Sequence, residues 1–246
     1  DAVVRVDLGY SRNWDKTLAT HIDVIDKQTI GGFRKSTGWA SDQRVYFYSE
    51  FSQPFSAHTL INDKVKSGEV SASGVNLAGE FDFDLTELPT DEKVVTVRTA
   101  ISSVSIENAK HNLLAEGKNK SFSQVKDQAQ QAWRKQLSTV EISAEKDDMT
   151  QFYTAMYHTA LAPRVFSDSN GEYKGPDGQI HKSETYPRYE FFSLWDTFRA
   201  LHPWKTIVEP TRSKELMASI MDHYQVAGRL PVWNFQGNET DMMMGY

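Results

Sequence analysis

The sequence predicts a multi-domain protein that is β first and α afterwards: an antiparallel β-sandwich, a helical linker, and the opening portion of a toroidal α/α barrel. Three observations predict it. The 246 residues exceed the usual size of one domain. Apolar residues alternate with period two up to about residue 103 and recur every three or four residues after it. Beyond residue 144 the helical stretches are separated by long, turn-rich segments. The expected domains are 1–103 for the sandwich, 104–143 for the linker, and 144–246 for a truncated start of the barrel.

In the first region, residues 44–51 (RVYFYSEF) and 94–101 (VVTVRTAI) show the alternation of strands with one buried face. Val95, Val97 and Ile101 are expected to face the core, and Thr96 and Arg98 the solvent. Gly31, Gly32, Gly68, Gly74 and Gly79 punctuate short strands that have no helices between them, which favours two packed sheets.

The linker begins where Ser105 precedes a helical stretch. Ser121 and Gln124 then have capping-box spacing ahead of Val125, Ala129, Ala132, Trp133 and Leu137. In the barrel region Met149, Phe152, Tyr153, Met156 and Tyr157 recur at helical spacing, and that helix should stop near Pro163. Asn170-Gly171 and Pro176-Asp177-Gly178 mark a turn-rich hairpin. A second helix is expected from Asp196 to Lys205, weakened or bent by Pro203. The third runs from Pro210 to Gly228, with Leu216, Ile220, Met221 and Tyr224 along one face.

Composition narrows the function. A formal charge of -6 and a pI near 5.7 leave no basic footprint for nucleic acid. No run of about 18 apolar residues could cross a bilayer. With no cysteine there is neither a disulfide nor a thiolate metal site. The chain opens at Asp1 without Met or a signal-type apolar run, and closes just after Met242-Met243-Met244-Gly245, so both ends are expected to be cut. There is no GxSxG, P-loop, GxGxxG or HExxH. The seven His form no metal-like cluster. Asp168-Ser169-Asn170-Gly171 resembles half of a calcium loop but lacks its later carboxylate, and reads as a turn.

Two segments stand out. Residues 230–241 (LPVWNFQGNETD) bring two aromatic rings, three amides and two carboxylates together directly after a helix. Rings that stack on sugar and amides that bond its hydroxyls would suit such a loop. The plainer alternative is that Asn238 or Thr240 caps a following helix, with Glu239 and Asp241 in its first turn. In residues 191–203 (FFSLWDTFRALHP), Asp196 reads either as a helix N-cap over Trp195 or as a sugar ligand beside it.

Residues 193–197 (SLWDT) with 199–203 (RALHP), followed by 228–233 (GRLPVW) and 237–241 (GNETD), together resemble glycoside hydrolase family 92. Gly38-Trp39-Ala40 with 42–47 (DQRVYF) resembles that family's N-terminal sandwich. Tyr157-His158-Thr159 with Ala162-Pro163 resembles its first barrel helix. The resemblance runs over nearly the whole chain, and the occurrence of these strings in this order is specific.

The resemblance implies an (α/α)6 toroid and a calcium-dependent, inverting exo-α-mannosidase acting on terminal mannose of N-glycans or mannan. It implies that Glu239 is the general acid, and that the base aspartate and the Ca2+ ligands belong to a segment beyond Tyr246, so that this stretch alone is inactive. With the loop's composition, it makes Trp195, Asp196, Trp233 and Asn238 candidates for shaping the sugar site. It suggests a bacterial enzyme that is secreted, periplasmic or attached to the cell surface. A Glu in a helix's first turn would have its pKa lowered, whereas a general acid needs it raised, so burial beside Trp233 or Phe235, or proximity to another carboxylate, would have to outweigh the dipole. Two other readings stay open: a non-catalytic carbohydrate-binding protein, and a glycoside phosphorylase of the same architecture.

Overall fold

The computed structural model describes residues 1–11, 14–62, 64–236 and 238–239, with backbone alone for Lys64, Val65, Asp91, Asn238 and Glu239. The chain divides into two compact units. One comprises Asp1–Lys118 with Asp168–Glu172, the other Asn119–Ser167 with the residues from Tyr173 onward.

The first unit holds β1 (Ala2–Asp7), β2 (Lys16–Val24), β3 (Thr29–Thr37), β4 (Gln43–Phe51), β5 (Ala57–Asn62), β6 (Lys64–Ser67), β7 (Ser71–Gly74), β8 (Ala78–Phe83) and β9 (Val97–Ser102). They form a four-stranded sheet in the order β1-β8-β5-β6 and a five-stranded sheet in the order β7-β2-β3-β4-β9, every recorded pairing being antiparallel. Alternate residues point between the sheets, where Ile22, Ile30, Phe47 and Phe51 of one meet Leu60, Phe81 and Phe83 of the other. This is the sandwich that the alternation predicts. Gly32 is required by close approach: a Cβ there would lie 2.1 Å from the His21 carbonyl oxygen.

In β9 the register pairs Val97 with Phe51 and Ile101 with Phe47, so both side chains do share the face of core residues. Yet they are 41% and 62% exposed, contrary to expectation. The strand lies at the edge of its sheet, beyond the apolar cover. Its protected side is the opposite one, where Ala100 packs with Tyr48 against Ala109 and Leu113 of α1 (Ile106–Glu116). Ser105 caps that helix, its hydroxyl accepting from the Asn108 N–H.

Asp168 is buried in this same unit. It accepts hydrogen bonds from the Ser102 hydroxyl at 2.6 Å and from the Asn108 and Asn112 amides at 2.8 and 2.7 Å. Its carbonyl accepts the Gly171 N–H, so the segment closes as a turn, in agreement with the sequence.

The second unit holds α2 (Phe122–Leu137), α3 (Lys146–Thr159), β10 (Arg164–Val165), most of β11 (Glu172–Lys174), β12 (Ile180–Lys182), β13 (Tyr189–Glu190), α4 (Leu194–Thr197), α5 (Leu201–Val208), α6 (Pro210–Ala227), β14 (Asn234–Phe235) and β15 (Asn238–Glu239). Short ribbons pair β10 with β13, β11 with β12, and β14 with β15. α2 opens on the predicted capping box, with Ser121 and Gln124 satisfying each other's backbone N–H. α6 begins with Pro210 and ends at Gly228, whose φ of 75° is the left-handed closure that glycine provides. No helix among the described residues is long and apolar enough to cross a membrane.

Two helical expectations need correction. The stretch 196–205 is two helices, α4 and α5, interrupted at Phe198–Ala200, and Pro203 is not the breaker. It sits in the first turn of α5, where a missing N–H leaves no intrahelical bond unmade. On α6 the buried residues are Leu216, Ser219, Ile220 and His223, whereas Met221 and Tyr224 are exposed. The helix presents a partly polar face inward. Ser219 accepts the Tyr189 N–H at 3.0 Å, while Leu216 and Ile220 pack with Tyr189 and Phe192.

Candidate functional site

The two segments singled out in the sequence meet in the second unit. The Leu194 N–H donates to the Val232 carbonyl at 2.9 Å, the Asn234 N–H to the Phe192 carbonyl at 3.2 Å, and Ser193 forms a bridge with Trp233. The Phe192 N–H in turn donates to Asn234 Oδ1 at 2.8 Å. Segments some forty residues apart in sequence are therefore knitted together backbone to backbone.

Three rings gather at this junction. Phe191 lies 5.4 Å from Phe235 and 6.4 Å from Trp233, and Trp233 stacks on Phe235 at 6.1 Å. The Arg164 guanidinium lies 4.6 Å over the Phe191 ring. Phe191 has φ 74° and Gln236 φ 49°, conformations that side-chain-bearing residues keep only where their surroundings enforce them. Phe191 and Gln236 flank the paired segments, so the enforced conformations coincide with the place where the aromatic wall is built.

The predicted residues fall as follows. Trp195 and Asp196 lie on α4; Trp195 is 44% exposed, and the Asp196 carboxylate accepts the Ser193 hydroxyl at 2.6 Å. Asp196 is thus the third residue of the helix rather than its N-cap, a place taken by Ser193. Trp233 is half-buried across the bridge from Ser193. Asn238 and Glu239 form β15, where Asn238 is the register partner of Phe235 and Glu239 of Asn234. The side chains of Asn238 and Glu239, and all of Gly237, Thr240 and Asp241, lie outside the described residues. The backbone at 238–239 is strand rather than the first turn of a helix.

Sequence reading missed Phe191, Arg164 and Asn234. Asn234 is fully buried, yet in sequence it was one amide among three in a polar loop. The strand before Phe191 rests on buried charge: Arg188 donates to the Tyr189 carbonyl at 2.9 Å and pairs with Glu190 at 3.2 Å, both residues being almost wholly inaccessible. Burial, followed by the nearby Arg188 and Arg229, pushes the His223 imidazole down to about 4, so it stays neutral near pH 7. Two concavities of this unit lie elsewhere. One of about 270 Å³ is walled by Tyr173, His181, Tyr186 and Asp222, and one of about 560 Å³ runs along α3; neither is lined by Trp195, Asp196 or Trp233. Among the described residues, no three His, Asp or Glu converge as a metal would require.

Comparison with known proteins adds to this geometry. The glycosyl hydrolase family 92 N-terminal domain matches residues 1–102, and the glycosyl hydrolase family 92 catalytic domain matches residues 108–246. The solved family GH92 alpha-mannosidase BT3965 from Bacteroides thetaiotaomicron is 34% identical over 99% of this chain, with a TM-score of 0.91, as is its complex with mannoimidazole. The family GH92 inverting mannosidase BT2199 from Bacteroides thetaiotaomicron VPI-5482 is 28% identical over 99% of the chain, with a TM-score of 0.85. The chain spans about a third of the length of these structures, 33% and 32% respectively. No curated protein matches it. With matching domain models over nearly its whole length and the antiparallel sheets followed by helices that they require, this chain belongs to glycosyl hydrolase family 92.

Proposed function

We propose that this chain supplies the proton donor of an exo-α-mannosidase that removes terminal α-linked mannose from N-glycans or mannan with inversion of configuration. The observation that carries the reading is the pairing of residues 192–194 with residues 232–234, which puts Trp195 and Asp196 on one side of a backbone junction and Trp233 with the β14–β15 ribbon on the other. Family membership and the likeness to mannosidases, one of them titled inverting and another bound to mannoimidazole, support the choice of sugar and stereochemistry.

In this reading Glu239 protonates the departing glycosidic oxygen. Trp233 offers a ring to the sugar, and Trp195, Asp196 and Asn238 border it. Inversion needs a second, ionised carboxylate about 6.5–9.5 Å from the first, which activates water on the far side of the ring. That base and the calcium ligands are assigned to chain beyond Tyr246. The described residues offer no set of three metal-ligating side chains, and none of the steps above runs through calcium. The domain limits at 103 and 143, and a bacterial location outside the cytoplasm, belong to the same proposal.

The test uses the complete enzyme. Glu239→Gln is expected to lose about a hundredfold or more in kcat on a mannoside with a sugar leaving group. It should retain much of its activity on an aryl mannoside whose leaving group needs no proton. Equal losses on both substrates remove the acid assignment. Proton NMR of the first-formed mannose reads the stereochemistry. Phosphate-independent turnover separates hydrolysis from phosphorolysis, and activity of any kind separates an enzyme from a sugar-binding module.

A further inference from the structure

Beyond the residues already given roles, we infer that Asn234 is a positioning residue that fixes the strand carrying Glu239 to the segment carrying Trp195 and Asp196, an inference that rests on Glu239 being the proton donor. Asn234 is fully buried, and an amide in such a place is unfavourable unless its polar atoms are used. Its Oδ1 is used: it accepts the Phe192 N–H at 2.8 Å, and the backbone N–H of the same residue donates to the Phe192 carbonyl at 3.2 Å, while the side-chain nitrogen has no hydrogen-bond partner among the described residues. On the other side β14 pairs with β15, where Asn234 is the register partner of Glu239.

A ribbon of two residues per strand has little intrinsic hold on its own register, and a slip of one residue turns every side chain to the opposite face. The two bonds to Phe192 supply that hold from outside the ribbon. They anchor to a stretch that is itself held in place, since Phe191 keeps φ 74° and Leu194 donates to Val232 at 2.9 Å. An apolar residue of similar volume could fill the space at Asn234, but it could not accept the Phe192 N–H. What the amide adds is alignment.

The experiment compares Asn234→Ala, Asn234→Ser and Asn234→Asp in the complete enzyme, each against a mannoside with a sugar leaving group and an activated aryl mannoside. Ala and Ser, which cannot reach the Phe192 N–H, are expected to lose about a hundredfold in kcat on the first substrate, as misplacement of a reacting group by about 1 Å does. They should lose much less on the second, with little change in KM. Asp keeps the acceptor, and its activity is expected within about tenfold of the parent at acidic pH, where burial holds the new carboxyl neutral. Equal losses on both substrates, or parental rates in a folded Ser variant, overturn the inference. Glu239→Gln run alongside separates the two claims. If it shows no preference between substrates, the proton-donor reading fails. If it does and the Asn234 variants do not, only the positioning role fails.

Discussion

In the sandwich unit the large side chains that are wholly buried include Ile22, Ile30, Leu60, Leu77, Phe81 and Phe83; in the helical unit they include Lys174, Arg188, Lys205 and His223 beside Phe192 and Leu216. Two facing sheets offer each other continuous apolar surface, so the sandwich is held by area removed from water. The helical unit instead buries ions with partners. Arg188 pairs with Glu190, and Lys205 with Glu209 at 2.8 Å, while Arg212 and Gln136 also reach Glu209. Large apolar residues meanwhile stand exposed on its helices and helix junctions, among them Phe122, Phe198, Ile207 and Met217. Buried ion pairs contribute little net stability but penalise any geometry that breaks them. The difference places the candidate site in the unit whose backbone is aligned by directional bonds, and leaves the non-directional core to the scaffold.

That contrast can be broken by mutation. Phe81→Ala in the sandwich is expected to destabilise by about 3–5 kcal/mol, from lost burial and the cavity left behind. Arg188→Met should cost about as much, about 3–5 kcal/mol, because it strands Glu190. The two then part. Arg188→Met combined with Glu190→Leu is expected to return the urea midpoint to the parent value or above it, since a well-packed apolar pair can replace a buried ion pair. A double variant as unstable as the single one would show that the charges do more than satisfy each other.

Acid should weaken the helical unit more than the sandwich. Free His takes a proton at about 6.5, but the buried His223 accepts one only at about 4. Between those values the unfolded chain binds a proton that the folded chain refuses, and stability falls as pH drops, by about 3 kcal/mol in all. Glu209 adds to the same trend: burial pushes its carboxyl up, but Lys205, Gln136 and Arg212 outweigh burial and hold it lowered, so its contribution too is lost in acid. Urea midpoints followed from pH 7 to pH 4 should decline less in His223→Gln. An unchanged slope would remove His223 from the account. The smallest effect is expected where neither burial nor charge is at stake. Ser121→Ala, which opens the capping box of the exposed helix α2, should cost about 1 kcal/mol by the same measurement.

Much of this was legible in the sequence because it depends on neighbours. The alternation in β4, the caps at Ser105 and Ser121, and the Pro210 and Gly228 limits of α6 all involve residues within a few positions of each other. The misreadings came where a distant element decides. Val97 and Ile101 have the right periodicity, yet no spacing reveals that β9 is an edge strand. Met221 and Tyr224 suit an apolar face beside Leu216 and Ile220, but only the latter two pack with Tyr189 and Phe192, and the Tyr189 N–H brings Ser219 to the buried side. Pro203 reads as a breaker in any local scheme, and becomes harmless once α5 starts two residues before it.

The sequence by itself determined the change from sheet to helix near residue 103, the class of the two units, and the family, because periodicity and motif strings are properties of adjacent residues. Only the tertiary structure decided that residues 192–194 and 232–234 lie side by side, that Asn234 joins them, and that Arg188 and His223 are buried. The junction joins backbone groups some forty residues apart, and burial is set by the elements packed around a residue rather than by its neighbours in the chain. No local pattern encodes such pairings, whereas the cost of leaving a buried polar group unpaired enforces them in the fold.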